Sequence, residues 1–127
     1  MPLVTLTLRR PRDATFKRAV LDEVHRALVE AGVPPADRFQ RVITLADDDA
    51  NIDPRYPDLG SDRDRDFLLV EVVWSVGRSV KVKRKVVETM VAGLARAVGA
   101  RPDNVMVVLQ ETAWENWSFG GGRVLHA

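Results

Sequence analysis

Residues 67–79, FLLVEVVWSVGRS, contain the change of pattern that decides the fold of this chain. Residues 67–76 form an almost unbroken apolar run, which is typical of a β-strand buried on both faces. Gly77 ends the run, and Ser79 is a residue type that caps the first turn of a helix. Apolar residues then recur at helical spacing until Gly99, namely Val82, Val86, Met90, Leu94 and Ala97. The stretch therefore predicts a strand followed by an amphipathic helix.

The N-terminal part of the chain has the same order of elements. Residues 2–8, PLVTLTL, alternate apolar and hydroxyl side chains and predict a half-buried strand. A helical apolar pattern begins at Phe16 and stops at Gly32, and residues 38–46 predict a second strand. Residues 104–112 predict the matching strand after the second helix.

The two halves of the sequence align when one is shifted by 66 positions. This shift places Arg12 on Arg78 and Leu28 on Leu94. Beyond the first helix we expect a slip of one residue, which brings Asp37 near Asn104. A repeated segment with the same order of elements indicates an internal duplication.

The duplication predicts an α/β (α+β) fold made of tandem β-α-β repeats in a single domain over residues 1–127. We place repeat one at about 2–46, a polar linker at about 47–66, repeat two at about 67–112 and a tail at 113–127. Each crossover makes its two strands parallel. The result is a four-stranded sheet with two helices on one face, whose other apolar face we expect to pack against another subunit.

Composition excludes several classes of function. The chain has 127 residues, a net charge of +1 and no cysteine, so we expect no nucleic-acid partner, disulfide or thiol catalysis. No apolar stretch is long enough to span a membrane, and we expect a cytoplasmic protein. His25 and His126 lack the neighbours that a metal site needs.

Four short motifs mark a family: Pro2, Gly77-Arg78-Ser79, the run Asp37 to Gln40 (DRFQ), and the run Trp117 to Gly122 (WSFGGG). Together with the duplication they resemble the tautomerase superfamily. The resemblance is to its long, fused two-repeat members, which include malonate semialdehyde decarboxylase-like and oxalocrotonate tautomerase-like proteins. It implies the tautomerase/MIF-like fold, a homotrimer, a small carboxylic-acid substrate, and no metal or organic cofactor.

Pro2 has two interpretations. It either leads into the first strand or, once Met1 is removed, presents a ring-locked secondary amine as a catalytic base. An α-amine titrates near ~8, and a neighbouring guanidinium together with partial burial lowers that pKa toward neutrality, where a general base works well. With the duplication and the resemblance we favour the base.

Arg78 follows a strand and precedes a helix, where open sheets bind anions. Its guanidinium can hold a substrate carboxylate by two parallel hydrogen bonds, although a solvated arginine is the common alternative. Arg12, its repeat partner, would line an equivalent pocket. By resemblance Asp37 assists at the substrate carbonyl, while from spacing alone it caps a turn. Gln40 takes a position where short members carry an arginine, so by resemblance it would bind substrate with a hydrogen bond but without a charge.

Trp117 and Phe119 either form an apolar wall over the pocket, which strengthens charge interactions within it, or anchor the tail or a subunit contact. We predict a tautomerase (isomerase) with Pro2 as base and Arg78 and Asp37 as partners. The alternatives are decarboxylation or hydration of a 3-oxo acid, for which a second cation would have to come from Arg38 or Arg123, and a non-catalytic oligomer that binds small acids.

Overall fold

The computed structural model describes residues 1–124 of the chain. They contain four strands and two α-helices. His126 lies outside the described residues. The strands are β1 (Leu3–Leu8), β2 (Phe39–Thr44), β3 (Leu68–Ser75) and β4 (Val105–Thr112). The helices are α1 (Ala14–Glu30) and α2 (Val80–Val98).

The strands form one sheet in the order β2-β1-β3-β4. β1 and β2 are parallel, β3 and β4 are parallel, and the two repeats meet through the antiparallel pair β1 and β3. The predicted tandem β-α-β fold is thereby confirmed. Because β1 and β3 run in opposite directions, the start of β1 lies beside the end of β3.

The repeat spacing of 66 positions continues through both halves without the expected slip. The helices begin at Ala14 and Val80, and the outer strands begin at Phe39 and Val105, so each pair is 66 positions apart. The slip was inferred from Pro35 and Pro102, which lie 67 positions apart. In the structure α1 has 17 residues and α2 has 19, but a shorter connection after α2 keeps the spacing of 66. Asp37 therefore corresponds to Asp103 and not to Asn104.

Both helices begin at side-chain caps. Asp13 accepts a hydrogen bond from the Phe16 amide at 2.8 Å, and Ser79 accepts one from the Val82 amide at 3.2 Å. Gly99 ends α2 in the left-handed conformation at φ 67°, which glycine adopts without a Cβ clash. Neither helix of residues 1–124 has the length and apolar character needed to cross a bilayer.

The core lies between the sheet and the two helices. Alternate residues of the two central strands point toward the helices, and these are at most 1% exposed: Val4, Leu6, Leu8, Leu68, Val70, Val72 and Trp74. Trp74 is completely buried. Because this side of the sheet faces the helices, every second residue of β1 and β3 is apolar.

The opposite side of the sheet is only partly covered within one protomer. Four apolar side chains there are 39–45% exposed: Phe39, Ile43, Met106 and Val108. In β3, Leu69 and Val73 are half-buried and Glu71 is exposed. β3 was expected to be buried on both faces. In the isolated protomer only the face toward the helices is fully buried.

Candidate active site

The amino terminus lies against Asp37. The Met1 nitrogen is 2.5 Å from Asp37 Oδ2, and the Met1 and Asp37 side chains are only 7% and 17% exposed. Pro2 is also buried. Two of the residues singled out from the sequence, Pro2 and Asp37, are thus brought together at the start of β1.

The turn that carries Asp37 is tied to helix α1. The Asp37 amide donates to the Pro34 carbonyl at 3.0 Å. The buried His25 side chain lies with Nε2 2.8 Å from the Pro35 carbonyl oxygen. Because a carbonyl only accepts, His25 must carry its proton on Nε2 to make this bond. His25 is therefore a structural residue that fixes the position of the turn.

Both polar atoms of the Gln40 side chain form hydrogen bonds within the protomer. Its amide nitrogen donates to the Leu21 carbonyl at 2.8 Å, and its amide oxygen accepts from Arg38 Nε at 2.8 Å. Arg38 also pairs with Asp22 at 2.5 Å. The role of Gln40 in substrate binding therefore stays a prediction, and the Arg38 guanidinium is already paired with a carboxylate of the same protomer.

Arg78 lies at the same end of the sheet as Pro2. β1 pairs with β3 so that Leu3 is opposite Val73, and Arg78 follows the end of β3. Its guanidinium lies 4.0 Å from the centre of the Trp74 ring and donates to the Ser75 carbonyl at 2.9 Å. Stacking and hydrogen bonding on one side hold the guanidinium in a fixed orientation.

Charged neighbours surround Arg78. Partial burial lowers the pKa of Arg78, and the carboxylates of Glu111 and Asp37 raise it, with burial the larger effect. Glu111 also pairs with Lys83 at 2.7 Å. Lys83 and Glu111 were missed by sequence reasoning because they meet only when α2 packs over β4, and no local pattern signals that contact.

Arg12 lies at the other end of the sheet. It follows the end of β1, whereas Pro2 precedes its start. Its guanidinium stacks on Phe16 at 3.6 Å and approaches Asp66 at 3.5 Å. Within one protomer Arg12 therefore does not share a site with Pro2, in line with its position as the repeat partner of Arg78.

The tail returns over the Pro2 end of the sheet. The Trp117 and Phe119 rings stack at 5.7 Å, and Phe119 stacks on Phe39 at 5.2 Å. Phe39 is paired in register with Leu3, the residue after Pro2. The stacked rings of Trp117, Phe119 and Phe39 thus extend to the start of β1. Phe39 lies within the DRFQ run but was not predicted as a site residue.

Unpartnered polar atoms concentrate in this region. Within residues 1–124, four buried side-chain nitrogen or oxygen atoms have no hydrogen-bond partner: Asp37 Oδ1, Trp74 Nε1, Trp117 Nε1 and Arg9 Nε. Protein interiors rarely leave such atoms unpaired. Three of the four belong to residues already placed at the Pro2 and Arg78 end of the sheet, namely Asp37, Trp74 and Trp117. No group of three metal-ligating side chains occurs in the same described range.

Comparison with known proteins shows the family of the chain. The family model described as "Tautomerase enzyme" matches residues 37–120. The chain is 25% identical to Probable tautomerase YusQ of Bacillus subtilis (strain 168), over 97% of this chain and 96% of that protein.

Two solved structures are similar over nearly the whole chain. A malonate semialdehyde decarboxylase is 32% identical with a TM-score of 0.87, covering 95% of this chain and 92% of that one. A fused 4-OT described as a symmetric trimer is 20% identical with a TM-score of 0.77, covering 96% of this chain and 94% of that one, and shares the fold. The chain belongs to the tautomerase family and is an enzyme of the tautomerase superfamily.

Proposed function

We propose that the mature protein is a cofactor-independent tautomerase that acts on a small enol or 2-oxo acid. The observation that carries the proposal is the common location of the amino terminus, Asp37 and Arg78 at one end of the sheet. A base, a carboxylate and a guanidinium together can move a proton within a bound carboxylic acid.

Pro2 is the proposed base, and it acts after Met1 has been removed. Its ring nitrogen takes the hydroxyl proton of the enol acid, and the resulting ammonium returns a proton to the neighbouring carbon, which yields the keto form. The proton count of enzyme and substrate is unchanged over the cycle. Because the ring restricts the nitrogen to few orientations, little entropy is lost in aiming it.

Arg78 is the proposed carboxylate-binding residue. Its guanidinium offers parallel N–H groups to two carboxylate oxygens. The same charge stabilises the enolate that develops beside the carboxylate during proton transfer. The contacts with Trp74 and Ser75 support this role, since they fix the guanidinium before substrate arrives.

Asp37 and the aromatic residues complete the proposed site. Asp37 Oδ2 faces the chain terminus, which leaves the buried Oδ1 free to accept a hydrogen bond from substrate. Trp117 has an unpaired, buried indole N–H that could donate to a substrate oxygen. With Phe119 it would exclude water and strengthen the charge interactions of the site.

We also propose that the protein is a homotrimer. The support is the side of the sheet away from the helices, where four apolar side chains are 39–45% exposed. An apolar surface of this kind is covered by other subunits in many oligomers. The fused 4-OT that shares this fold is a symmetric trimer.

A second candidate is decarboxylation or hydration of a small 3-oxo acid, with protonated Pro2 as the acid. Its support is the 32% identity to malonate semialdehyde decarboxylase. Against it, the run from Ser75 to Arg78 contains a single arginine, and Arg38 is paired with Asp22. We therefore rank tautomerisation first.

A substrate panel and a Pro2→Ala variant test the proposal together. The protein should accelerate loss of the ultraviolet absorbance of enol phenylpyruvate or a hydroxymuconate more than it releases carbon dioxide from malonate semialdehyde. Pro2→Ala should lower kcat by at least ~10-fold, because a positioned base contributes ~10²–10⁴-fold and a flexible primary amine replaces it only in part. Unchanged kinetics in Pro2→Ala would exclude Pro2 as the base, and absence of turnover on the whole panel would favour the non-catalytic oligomer.

A further inference from the structure

The duplication generates a second position equivalent to the proposed active site. The spacing of 66 positions relates Arg78 to Arg12 and Asp37 to Asp103. The equivalent position lies where β1 ends and β3 begins, at the opposite end of the sheet. We call it the first-repeat cavity, a space of about 110 Å³ bordered by Arg10, Arg12, Phe16, Asp66 and Arg101 among others.

The first-repeat cavity already holds a carboxylate. Asp66 Oδ1 lies 2.7 Å from Arg10 Nε and 2.6 Å from the second terminal nitrogen of Arg10. The same oxygen is 3.5 Å from Arg12. Two guanidinium groups thus approach one oxygen of a half-exposed carboxylate, and charge-assisted contacts of this kind can also hold the carboxylate of a free acid.

The cavity has no catalytic base. At the active end the chain begins, so its terminal nitrogen faces Asp37. At the first-repeat end the chain continues from the linker into β3, so the nitrogen of Leu68 is an amide. Asp103, the counterpart of Asp37, accepts hydrogen bonds from the Ser61 amide at 3.0 Å and the Ser61 hydroxyl at 2.7 Å. The first-repeat cavity therefore keeps the arginines that can bind an anion but lacks the terminal amine that would transfer a proton.

We propose that the first-repeat cavity is a second carboxylate-binding site, which the chain's own Asp66 side chain occupies. Arg10 and Arg12 are its anion-binding residues, and small carboxylates or dicarboxylates are the ligands whose chemistry matches them. The linker thereby places its own carboxylate on Arg10 and Arg12, where a free carboxylate would otherwise bind. The proposal does not depend on the reaction carried out at Pro2.

The linker is held in place by contacts that do not use the Asp66 carboxylate. The Asp66 amide donates to Asp64 at 2.8 Å, and Asn104 donates to Asp64 at 2.8 Å. Arg101 donates to the Asp62 carbonyl at 2.7 Å. Truncation of the Asp66 side chain should therefore vacate the anion position while the linker stays over the cavity.

The test measures malonate binding by isothermal titration calorimetry in chains that carry Arg78→Ala, so that the active end cannot contribute. Asp66→Ala in that background should bind one malonate per chain at least ten-fold more tightly than the matched control Asp62→Ala. Asp62 is a suitable control because it is a linker carboxylate that pairs with Arg55 and is 63% exposed. Should Asp66→Ala fail to fold, Asp66→Asn removes the charge with little change of shape.

Addition of Arg12→Gln to the chain that carries Arg78→Ala and Asp66→Ala should abolish the malonate binding that the loss of Asp66 produced. The proposal is overturned if removal of the Asp66 charge leaves malonate affinity equal to that of the Asp62→Ala control. It is equally overturned if the gained binding persists without Arg12. Both outcomes are independent of activity at Pro2, so they leave the proposed function unaffected.

Discussion

Arg78→Ala tests the proposed substrate contact in the most detail. The guanidinium is held by the Ser75 carbonyl at 2.9 Å and by the Trp74 ring at 4.0 Å, which leaves its remaining N–H groups for a substrate carboxylate. Hydrogen bonds to charged groups contribute about 1.5–3 kcal/mol each. Loss of two such bonds corresponds to at least ~3 kcal/mol, or a ~100-fold fall in kcat/KM.

The fold should tolerate the same substitution. The stacking of Arg78 on Trp74 is worth about 0.5–2 kcal/mol, so we expect a decrease of only several degrees in the thermal midpoint. Arg78→Lys should lose less activity than Arg78→Ala, because lysine keeps the charge but not the planar pair of donors.

Arg12→Ala is the matched control, since Arg12 is the repeat counterpart of Arg78 at the other end of the sheet. It should leave kcat/KM for an enol acid within about two-fold of the wild type, because within the protomer Arg12 lies at the opposite end of the sheet from Pro2 and is already paired with Asp66. The reasoning is refuted if Arg78→Ala retains a third or more of the wild-type kcat/KM, or if Arg12→Ala loses as much activity as Arg78→Ala.

Three further predictions follow from the contacts described above. Asp37→Asn should lower kcat/KM for an enol acid by at least about ten-fold, because it removes the carboxylate charge that lies against the chain terminus and is proposed to contact the substrate; an unchanged kcat/KM would exclude Asp37 from the site. Ile43→Glu, on the partly exposed side of the sheet, should convert trimers to smaller species in light-scattering measurements, whereas Tyr56→Glu in the linker should not; a trimer that survives Ile43→Glu contradicts the proposed interface. Hydrogen bonds from the Asp66 amide and then Asn104 lower the pKa of Asp64, so its stabilising effect is present above about pH 4 and disappears as the pH falls through the lowered value. Asp64→Asn should therefore reduce the thermal midpoint slightly at pH 7 and converge with the wild type as the pH falls through that lowered pKa, and a difference that persists once Asp64 is protonated would exclude this origin.

The fold was predictable because its determinants are local and repeated. The apolar spacing of each helix and the alternation in β1 are visible in single windows of sequence, and they recur after 66 positions. The proximity of Pro2 and Arg78 was a weaker inference. It depends on the antiparallel pairing of β1 with β3, which no local pattern encodes.

The contacts of Gln40 could not be predicted from its motif. Asp37 precedes β2, and Gln40 is the second residue of that strand, on the same side as Val42. Strand side chains alternate between faces, so a difference of one position sends a residue to the opposite side of the sheet. Gln40 consequently reaches Leu21 on helix α1, whereas Phe39 joins the aromatic chain over the proposed site.

Long-range charge pairs were also beyond sequence reasoning. Lys83 and Glu111 are 28 positions apart, and the Asp66 contacts with Arg10 and Arg12 span more than 50. Each acidic residue looked like a solvated charge in its own segment. Only the packing of the repeats shows which arginine each carboxylate meets.

The intact mass of the purified, active protein tests the central claim most directly, because only a chain without Met1 carries a basic nitrogen on Pro2. We predict a mass lower than that of the 127-residue chain by one methionine residue, with enol-acid turnover confined to that shortened species. Full turnover by protein that retains Met1 would contradict the account.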